Sequence, residues 1–207
     1  DGDFIYVGGN RNYNTDTHKW NSYIYKFDTK KNKKIWERKN LTFSEPHSMI
    51  AYDDGVYFSS HKVFKKRHML FLSKVDTKGN LLWKKEIEID NNDSGFQTSL
   101  SKDKEGNLSL ITAERLYKDE LQPIFKAHRI TQDGSVELSK IVDMELEKGV
   151  LLSKLKHLSN NGNLFISVSY SHFNENNESA INKYGLHRSC RLIESTNIIT
   201  INNIISK

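Results

Sequence analysis

Cysteine, proline and long apolar runs are scarce in this chain. Among its 207 residues only Cys190 is a cysteine and only two are prolines. A lone cysteine excludes an intrachain disulfide and a Cys-x-x-Cys metal or redox motif. No apolar run approaches the roughly 20 residues of a membrane-spanning helix. Because 36% of the residues are hydrophobic, the composition is that of a folded domain and excludes a disordered chain.

Signatures of catalysis and metal binding are missing as well. There is no Gly-x-Ser-x-Gly sequence, and Gly8-Gly9 is not followed by the Lys-Ser/Thr pair of a phosphate-binding loop. The eight histidines share no His-x-His or His-Glu-x-x-His spacing. The sequence therefore predicts no metal site and favours a protein that is not an enzyme.

The net charge of +5 is concentrated in two short basic runs, Lys30–Lys34 and Lys65–His68. Lysine on a turn or an edge strand keeps strands of different molecules from pairing, so we interpret both runs as solvated surface. Binding to an acidic polymer is the alternative, with nucleic acid an unlikely partner. The first run straddles a predicted hairpin turn and is expected where the tight turns lie.

A hairpin with a tryptophan early in its second strand organises the chain. Its clearest copy reads LFLSKVDTKGNLLWKKEI, in which Asp-Thr-Lys opens the turn. The copies span 23–39, 70–87 and, more weakly, 124–142, with Trp36, Trp83 and Leu138 at the corresponding position.

A second marker consists of an acidic residue or asparagine, then glycine, then an apolar strand. It recurs at intervals of 51 to 56 residues, at Gly2, Gly55, Gly106 and Gly162. Glycine at such a turn permits the positive φ that tight hairpins require. Two markers in fixed order with a period near 50 indicate a repeat protein.

Strand signals recur about every ten residues, and no helical period is present. Four antiparallel strands per repeat, joined by short turns, form the layout of a β-propeller blade. We therefore predict an all-β fold with about four blades, in which residues 1–207 are a segment of one larger propeller and the first blade lacks its innermost strand. The blades are expected at about 1–40, 47–88, 96–143 and 151–206, with the last two strands near 184–192 and 197–205.

The Asp-Thr-Lys hairpin with its tryptophan resembles the repeats of the quinoprotein-like (PQQ-like) propellers, which include the barrel-assembly lipoprotein of bacterial outer membranes. The resemblance implies that Trp36 and Trp83 dock between neighbouring blades and are largely buried. It also implies an exported protein, in the periplasm or at the cell surface. The paired cysteines and carboxylate cluster of a true quinoprotein dehydrogenase are absent, so no cofactor is predicted.

Blade topology places the tight turns at one end and longer connections at the other, over about 10–22, 61–68, 115–122 and 171–183. Long loops on a rigid scaffold are where binding groups collect. Arginine and exposed aromatic side chains suit stacking on sugars or gripping a protein partner. The candidate binding residues are Arg11, Tyr13, His18, Trp20, His61, Arg67, His172 and Phe173. Ordinary polar loops without a ligand are the alternative.

His47 is a weak candidate for catalysis. It stands where the chain enters the predicted innermost strand of the second blade, close to the central channel, where an imidazole could act as a general base. A structural histidine is the alternative. We therefore expect a non-catalytic module that binds a protein or a glycan, with a propeller hydrolase or lyase acting on a polysaccharide as the second hypothesis.

Overall fold

The protein is built from β-structure. In a computed structural model, the structure describes residues 3–14, 19–41, 45–64, 67–89, 96–102, 106–114, 124–142, 144, 150–160, 163–172 and 193–201. Every regular element in these ranges is a strand, so the prediction of an all-β chain is confirmed there. None of these ranges holds a helix that could cross a membrane.

The strands form four antiparallel sheets in chain order. The first sheet contains β1 (Phe4–Asn14), β2 (Lys19–Asp28) and β3 (Lys33–Leu41). The second contains β4 (Glu45–Tyr52), β5 (Gly55–Phe64), β6 (Arg67–Val75) and β7 (Leu81–Ile87). The third contains β8 (Phe96–Lys102), β9 (Leu108–Glu114), β10 (Ile124–Ile130) and β11 (Val136–Val142). The fourth contains β12 (Val150–Asn160), β13 (Asn163–His172) and β14 (Ile193–Ile201).

The prediction for the end of the fourth sheet was wrong. The strand that pairs with β13 is β14, whose register joins His172 to Ile193 and Leu164 to Ile201. This third strand therefore occupies much of the span predicted for a fourth strand, 197–205. The apolar run near Ile198 and Ile199 favours a strand there. The span predicted for the third strand lies outside the described residues.

Two predicted long loops are shorter than expected. Strands β1 and β2 continue to Asn14 and from Lys19, so most of the predicted loop 10–22 is a paired hairpin. Strands β5 and β6 similarly pair as far as Phe64 and Arg67. Aromatic residues that alternate with polar ones favour strands. They extend the pairing into spans that were predicted as loops because they are rich in polar residues.

The four sheets pack face to face in chain order. One apolar cluster, which includes Ile24, Phe58 and Val75, joins the first sheet to the second. A second cluster joins the second sheet to the third, and a third cluster joins the third to the fourth. The leading strands β4, β8 and β12 also contact one another in series. Since both faces of the third sheet are covered, every residue of β9 is buried.

Each of the first two sheets docks a tryptophan on the turn of the sheet that follows. The Trp36 indole donates from Nε1 to the Thr77 carbonyl at 2.9 Å, and the Arg38 guanidinium donates to the Gly79 carbonyl. A Cβ added at Gly79 would lie only 2.8 Å from the Trp36 ring. The indole therefore rests directly on the glycine backbone.

The same contact recurs one sheet later. Trp83 donates from Nε1 to the Gln132 carbonyl at 3.0 Å, and a Cβ on Gly134 would lie 2.7 Å from its ring. Both indoles thus dock on the neighbouring sheet. Most of each indole is buried against the apolar clusters, as predicted, and the exposure that remains follows from the position of β3 and β7 as the outer strands of their sheets.

The turns that receive the indoles are rigidified by their own hydrogen bonds. Asp76 accepts from the backbone N–H groups of Lys78 and Asn80 at 2.9 and 2.7 Å. These bonds, with that from Asn80 foremost, lower the pKa of Asp76. In the third sheet Asp133 accepts from the Thr131 and Ser135 side chains. A rigid turn holds its carbonyl oxygen in one position, where it can accept the hydrogen bond from the indole N–H.

The basic run of the first sheet lies on its hairpin turn, as predicted. Lys30 pairs with Asp3 at 2.7 Å, and Lys34 pairs with Glu37 at 2.6 Å. This turn has no glycine, and Asn32 supplies the positive φ of 49°. Much of the positive charge in this run is therefore matched by a carboxylate.

Replacing Gly134 by alanine should destabilise the protein more than replacing Gly106. Both glycines have positive φ, 86° and 90°, so both substitutions incur a backbone cost of about 1–3 kcal/mol. Only at Gly134 would the new methyl group meet an indole, whereas at Gly106 the nearest atom is Lys102 Cε at 3.7 Å. The clash should add about 1–3 kcal/mol.

Urea unfolding of the two variants and the wild type at neutral pH measures the difference. Equal losses in free energy of unfolding would show that the indole moves aside and that the contact with the turn contributes little.

Candidate functional site

The interface between the second and third sheets has two different ends. The turn end carries the turns after β4, β6 and β10, and the loop end carries the connections after β5 and β9. Apolar residues run the length of the interface, from Leu108 and Ile130 near the turn end to Leu70 and Ile87 near the loop end. Titratable side chains without a partner in the turn network join them toward the loop end, so the candidate site is sought there.

A network of ion pairs and hydrogen bonds joins the second and third sheets at the turn end. Asp54 accepts from Lys74 Nζ and from the Tyr57 hydroxyl, both at 2.7 Å, and lies 3.6 Å from Lys102 Nζ of the third sheet. Burial opposes ionisation of Asp54, but these partners outweigh it and lower its pKa to about 2. The network clamps the two sheets and leaves little hydrogen-bonding capacity for a ligand.

Three histidines meet at the loop end of the second sheet. His61 Nε2 and His68 Nδ1 are 2.7 Å apart, and their rings are nearly parallel with centroids 4.8 Å apart. His47 packs edge-on against His61 at 5.5 Å. His47 is the extra, unpaired residue of a bulge between Pro46 and Ser48, in the strand next to the one that carries His61.

The central histidine of the three, His61, favours the neutral state. Burial, together with the charges that His47 and His68 would carry, lowers the pKa of His61 to about 4. A hydrogen bond between two imidazoles also requires that at least one of the two rings be neutral. His61 is therefore a neutral donor and acceptor at pH 7.

A second polar cluster lies on the facing side of the third sheet. Lys126 Nζ is 3.3 Å from Glu114 Oε1, and both side chains are almost fully buried. Strand alternation puts Glu114 on the face that carries Leu108 and Leu110, which pack against the second sheet. A buried ion pair costs desolvation energy and adds little net stability, so its presence points to a role other than packing.

His128 extends this cluster. Its Nδ1 atom is 2.8 Å from the Ser139 hydroxyl and its Nε2 atom is 3.3 Å from the Thr112 hydroxyl. Burial, followed by the charge of Lys126, lowers the pKa of His128 to about 4. The neutral ring therefore links a buried hydroxyl to an exposed one.

Hydroxyl groups connect the two sheets along the same seam. Ser59 and Thr98 are 2.6 Å apart across the interface, and Leu100 N donates to Ser48 Oγ at 3.0 Å. On its other side the third sheet joins the fourth through His157, whose Nε2 atom is 2.8 Å from Ser109 Oγ. Burial lowers the pKa of His157 to about 3.

A shallow cleft opens beside the Lys126 cluster, at the outer edge of the interface. It has a volume of about 160 Å³ and is lined by Glu88, Lys126, Ser139, Lys140 and Ile141. Among the residues that the structure describes, no group of three histidine, cysteine or acidic side chains is arranged to hold a metal ion.

The candidate residues from the sequence are only partly brought together. His61 and His47 are in contact. The backbones of Arg11, Tyr13 and Trp20 lie in paired strands, not in a loop, and the register sets Tyr13 opposite Trp20.

The remaining candidates lie near strand ends or beyond the described chain. Arg67 begins β6 and His172 ends β13, and their strand positions are all that the structure describes of them. His18 and Phe173 lie outside the described residues.

Sequence reasoning missed Glu114, Lys126 and His128. A signal was present, because Lys126 and His128 alternate with Phe125 and Ala127 in one short strand. Such an alternation ordinarily marks a strand with one solvent-facing side, whereas here the polar side faces the second sheet.

The chemistry available at this end is hydrogen bonding by neutral imidazoles, hydroxyls and one buried ammonium group. The Thr112–His128–Ser139 chain has a hydroxyl and an imidazole in contact, but a hydroxyl stands where serine hydrolases orient the imidazole with a carboxylate. The arrangement suits recognition of a polar ligand better than nucleophilic attack.

Comparison with known proteins identifies the fold class only. No protein-family model matches the sequence, and no curated protein does. The whole chain is similar in structure to a GH43 endo-arabinanase from Bacillus licheniformis, with a TM-score of 0.50, 11% sequence identity and 70% of that chain covered. This similarity supports a propeller-like all-β fold.

Acidification from pH 7 to pH 5 should lower the free energy of unfolding. The pKa values of His128 and His157 are about 4 and 3 in the folded protein and near 6.5 when unfolded. Between these values the unfolded chain binds more protons, so stability falls as the pH falls. The slope is at most about 1.4 kcal/mol per pH unit for each histidine.

Urea midpoints at pH 7 and pH 5 measure the effect, and the dependence should be shallower in His128→Gln than in the wild type. A midpoint that is the same at both pH values would contradict the burial of neutral imidazoles.

Proposed function

We propose that the protein is a non-catalytic β-propeller module that binds a glycan or a protein at the loop end of its sheets. The observation that carries the proposal is the contrast between the two ends of one interface. The turn end is occupied by docking and ion-pair contacts that hold the sheets together. Toward the loop end lie the partly buried His61 and the buried Lys126, with the buried His128 farther along β10, and packing alone does not require these titratable groups.

In this proposal the four sheets are successive blades of a larger propeller, the first without its innermost strand. The outward faces of the end sheets support it, because Ile5 is 49% and Leu158 is 69% exposed. A further sheet packed on these faces would cover them, as the inner sheets are covered. The directional docking of Trp36 and Trp83 suits the quinoprotein-like repeats, and with them an exported protein that carries no cofactor.

A glycan or a polar protein surface suits the loop end because its groups are neutral or paired. Neutral imidazoles and hydroxyls both donate and accept hydrogen bonds, as sugar hydroxyls do. The cross-strand pair Tyr13 and Trp20 provides residue types that stack on sugar rings. Nucleic acid is less suited, since the Lys30–Lys34 run lies at the opposite end and is largely paired with carboxylates.

The second candidate is a polysaccharide hydrolase or lyase. The similarity to an endo-arabinanase favours it, as does the contact of His47 with His61. Glycoside hydrolysis ordinarily needs two carboxyl groups that flank the scissile bond. In the described chain the carboxylate of the buried cluster, Glu114, is ion-paired with Lys126, so the non-catalytic function is preferred.

Trp20→Ala and Tyr13→Ala should each weaken glycan or protein binding by about fivefold or more, because loss of a stacking aromatic commonly costs more than 1 kcal/mol. The ligand is first found on a glycan array and by affinity capture, and affinities are then measured by calorimetry. Phe165→Ala is the matched control, since Phe165 is an exposed aromatic near the turn end of the fourth sheet.

Turnover decides between the two candidates. Wild type and His47→Ala are incubated with arabinan and other polysaccharides, and new reducing ends are counted. We expect none from either protein. Cleavage by the wild type that His47→Ala loses would overturn the non-catalytic function and establish the hydrolase.

A further inference from the structure

Exposed aliphatic side chains are concentrated where the outer strands leave their hairpin turns. Ile35, Leu81, Leu82 and Val136 all lie within the first three residues of β3, β7 or β11, and each is between 41% and 52% exposed. A strand rises about 3.3 Å per residue, so the four positions lie within about 7 Å of the first residue of their strand. We call these four residues the turn-end band.

Contacts between the sheets make the band continuous. Trp36 follows Ile35 in β3 and packs on Gly79, which lies two residues before Leu81. The next sheet repeats this arrangement, with the indole that follows Leu82 packed on the turn before β11. Because packed sheets are spaced by about 10 Å, a band that crosses three of them is about 20 Å long. Its aliphatic side chains are joined by the exposed edges of the two indoles.

Lysine flanks the band. Lys33 begins β3 and Lys78 lies in the turn before β7, and both side chains are exposed. Lys30 and Lys34 at the same end are ion-paired but remain largely at the surface. The carboxylate of Asp76 is occupied by the backbone N–H groups of its own turn. The band is therefore an apolar strip with a basic margin, and its charge favours an anionic partner.

The distribution of these side chains fits a lipid bilayer better than a protein. A protein interface has a contiguous desolvated centre from which lysine is depleted. The band instead places one or two aliphatic side chains on each of three sheets, with lysines beside them. Elements that lie on membranes insert apolar side chains about 5–10 Å into the interfacial region. Their lysines extend toward the headgroups, and the depth of the band matches this range.

We propose that the turn end is a peripheral binding surface for a bilayer that contains anionic lipids. The turn-end band enters the interfacial region, and Lys33 and Lys78 contact the lipid phosphates. The loop end then faces away from the membrane and stays open to its ligand. This goes beyond the proposed function and does not depend on it, because the two surfaces lie at opposite ends of the sheets and share no residue.

The test is sedimentation of the full chain with vesicles of phosphatidylcholine alone and with vesicles that also contain phosphatidylglycerol. The wild type should bind the anionic vesicles more tightly. Leu82→Ser should weaken binding to both kinds of vesicle about fivefold, because it removes an apolar side chain that the bilayer would cover. Lys78→Gln should weaken binding to the anionic vesicles alone, by about three- to fivefold at low salt.

The outer strand β11 supplies matched controls at its opposite end. Ile141 is 68% exposed, more than any residue of the band, so Ile141→Ser should leave vesicle binding unchanged if position decides the effect. Lys140→Gln removes an exposed charge beside it and should also have no effect. Circular dichroism melting checks that all four variants are folded.

The outcomes separate a bilayer from other partners. Binding to anionic vesicles that Leu82→Ser and Lys78→Gln weaken, and that Ile141→Ser does not, supports the proposal. Equal losses in Leu82→Ser and Ile141→Ser would overturn the assignment to the turn end. Vesicle binding that disappears at high salt and is blocked by polyglutamate would overturn the bilayer in favour of an acidic protein. Wild-type protein that sediments with neither vesicle would also overturn it, while glycan binding at the loop end could still be found.

Discussion

The contact of an indole with a turn glycine is the constraint on which the stack of sheets depends. It joins Trp36 to Gly79 and Trp83 to Gly134, in each case with a hydrogen bond to a turn carbonyl. The ring needs a flat surface without a side chain, and the carbonyl fixes its rotation. A sheet so anchored at its outer strand can vary little in its angle to the next one, which holds the apolar clusters in register.

Because the contacts at the turn end hold the sheets together, the loop end can contain groups that lower the free energy of unfolding. From the turn end, the interface of the second and third sheets passes from apolar residues such as Ile130 through the Ser59–Thr98 contact to Lys126 and His61. Removing one member of the Lys126–Glu114 pair would leave a buried charge and cost about 3–5 kcal/mol. Such groups persist only where the rest of the fold compensates for them, as the clamped turn end does.

The strands were predictable because turn residues punctuate them. The hairpins read from the sequence at 70–87 and 124–142 end where β7 and β11 end, since Gly79 and Gly134 mark their turns. For the candidate site, the sequence indicated single residues but not which of them are in contact. Contact between His47 and His61 depends on register and on a bulge. The Lys126 cluster was not predicted, because alternation of polar and apolar residues indicates a strand with one buried face, whereas both faces of the third sheet are buried.

The hairpin turn of the first sheet lacks the glycine that the second and third sheets have at this place. In the described part of the chain no indole packs on its turn, which is one residue longer, with Trp36 eight residues after Asp28 but Trp83 seven after Asp76. The requirement for glycine at Gly79 and Gly134 therefore comes from the ring that packs on each turn and not from the turn alone. Asn32 shows this, since it makes the positive φ of its own turn with a side chain in place.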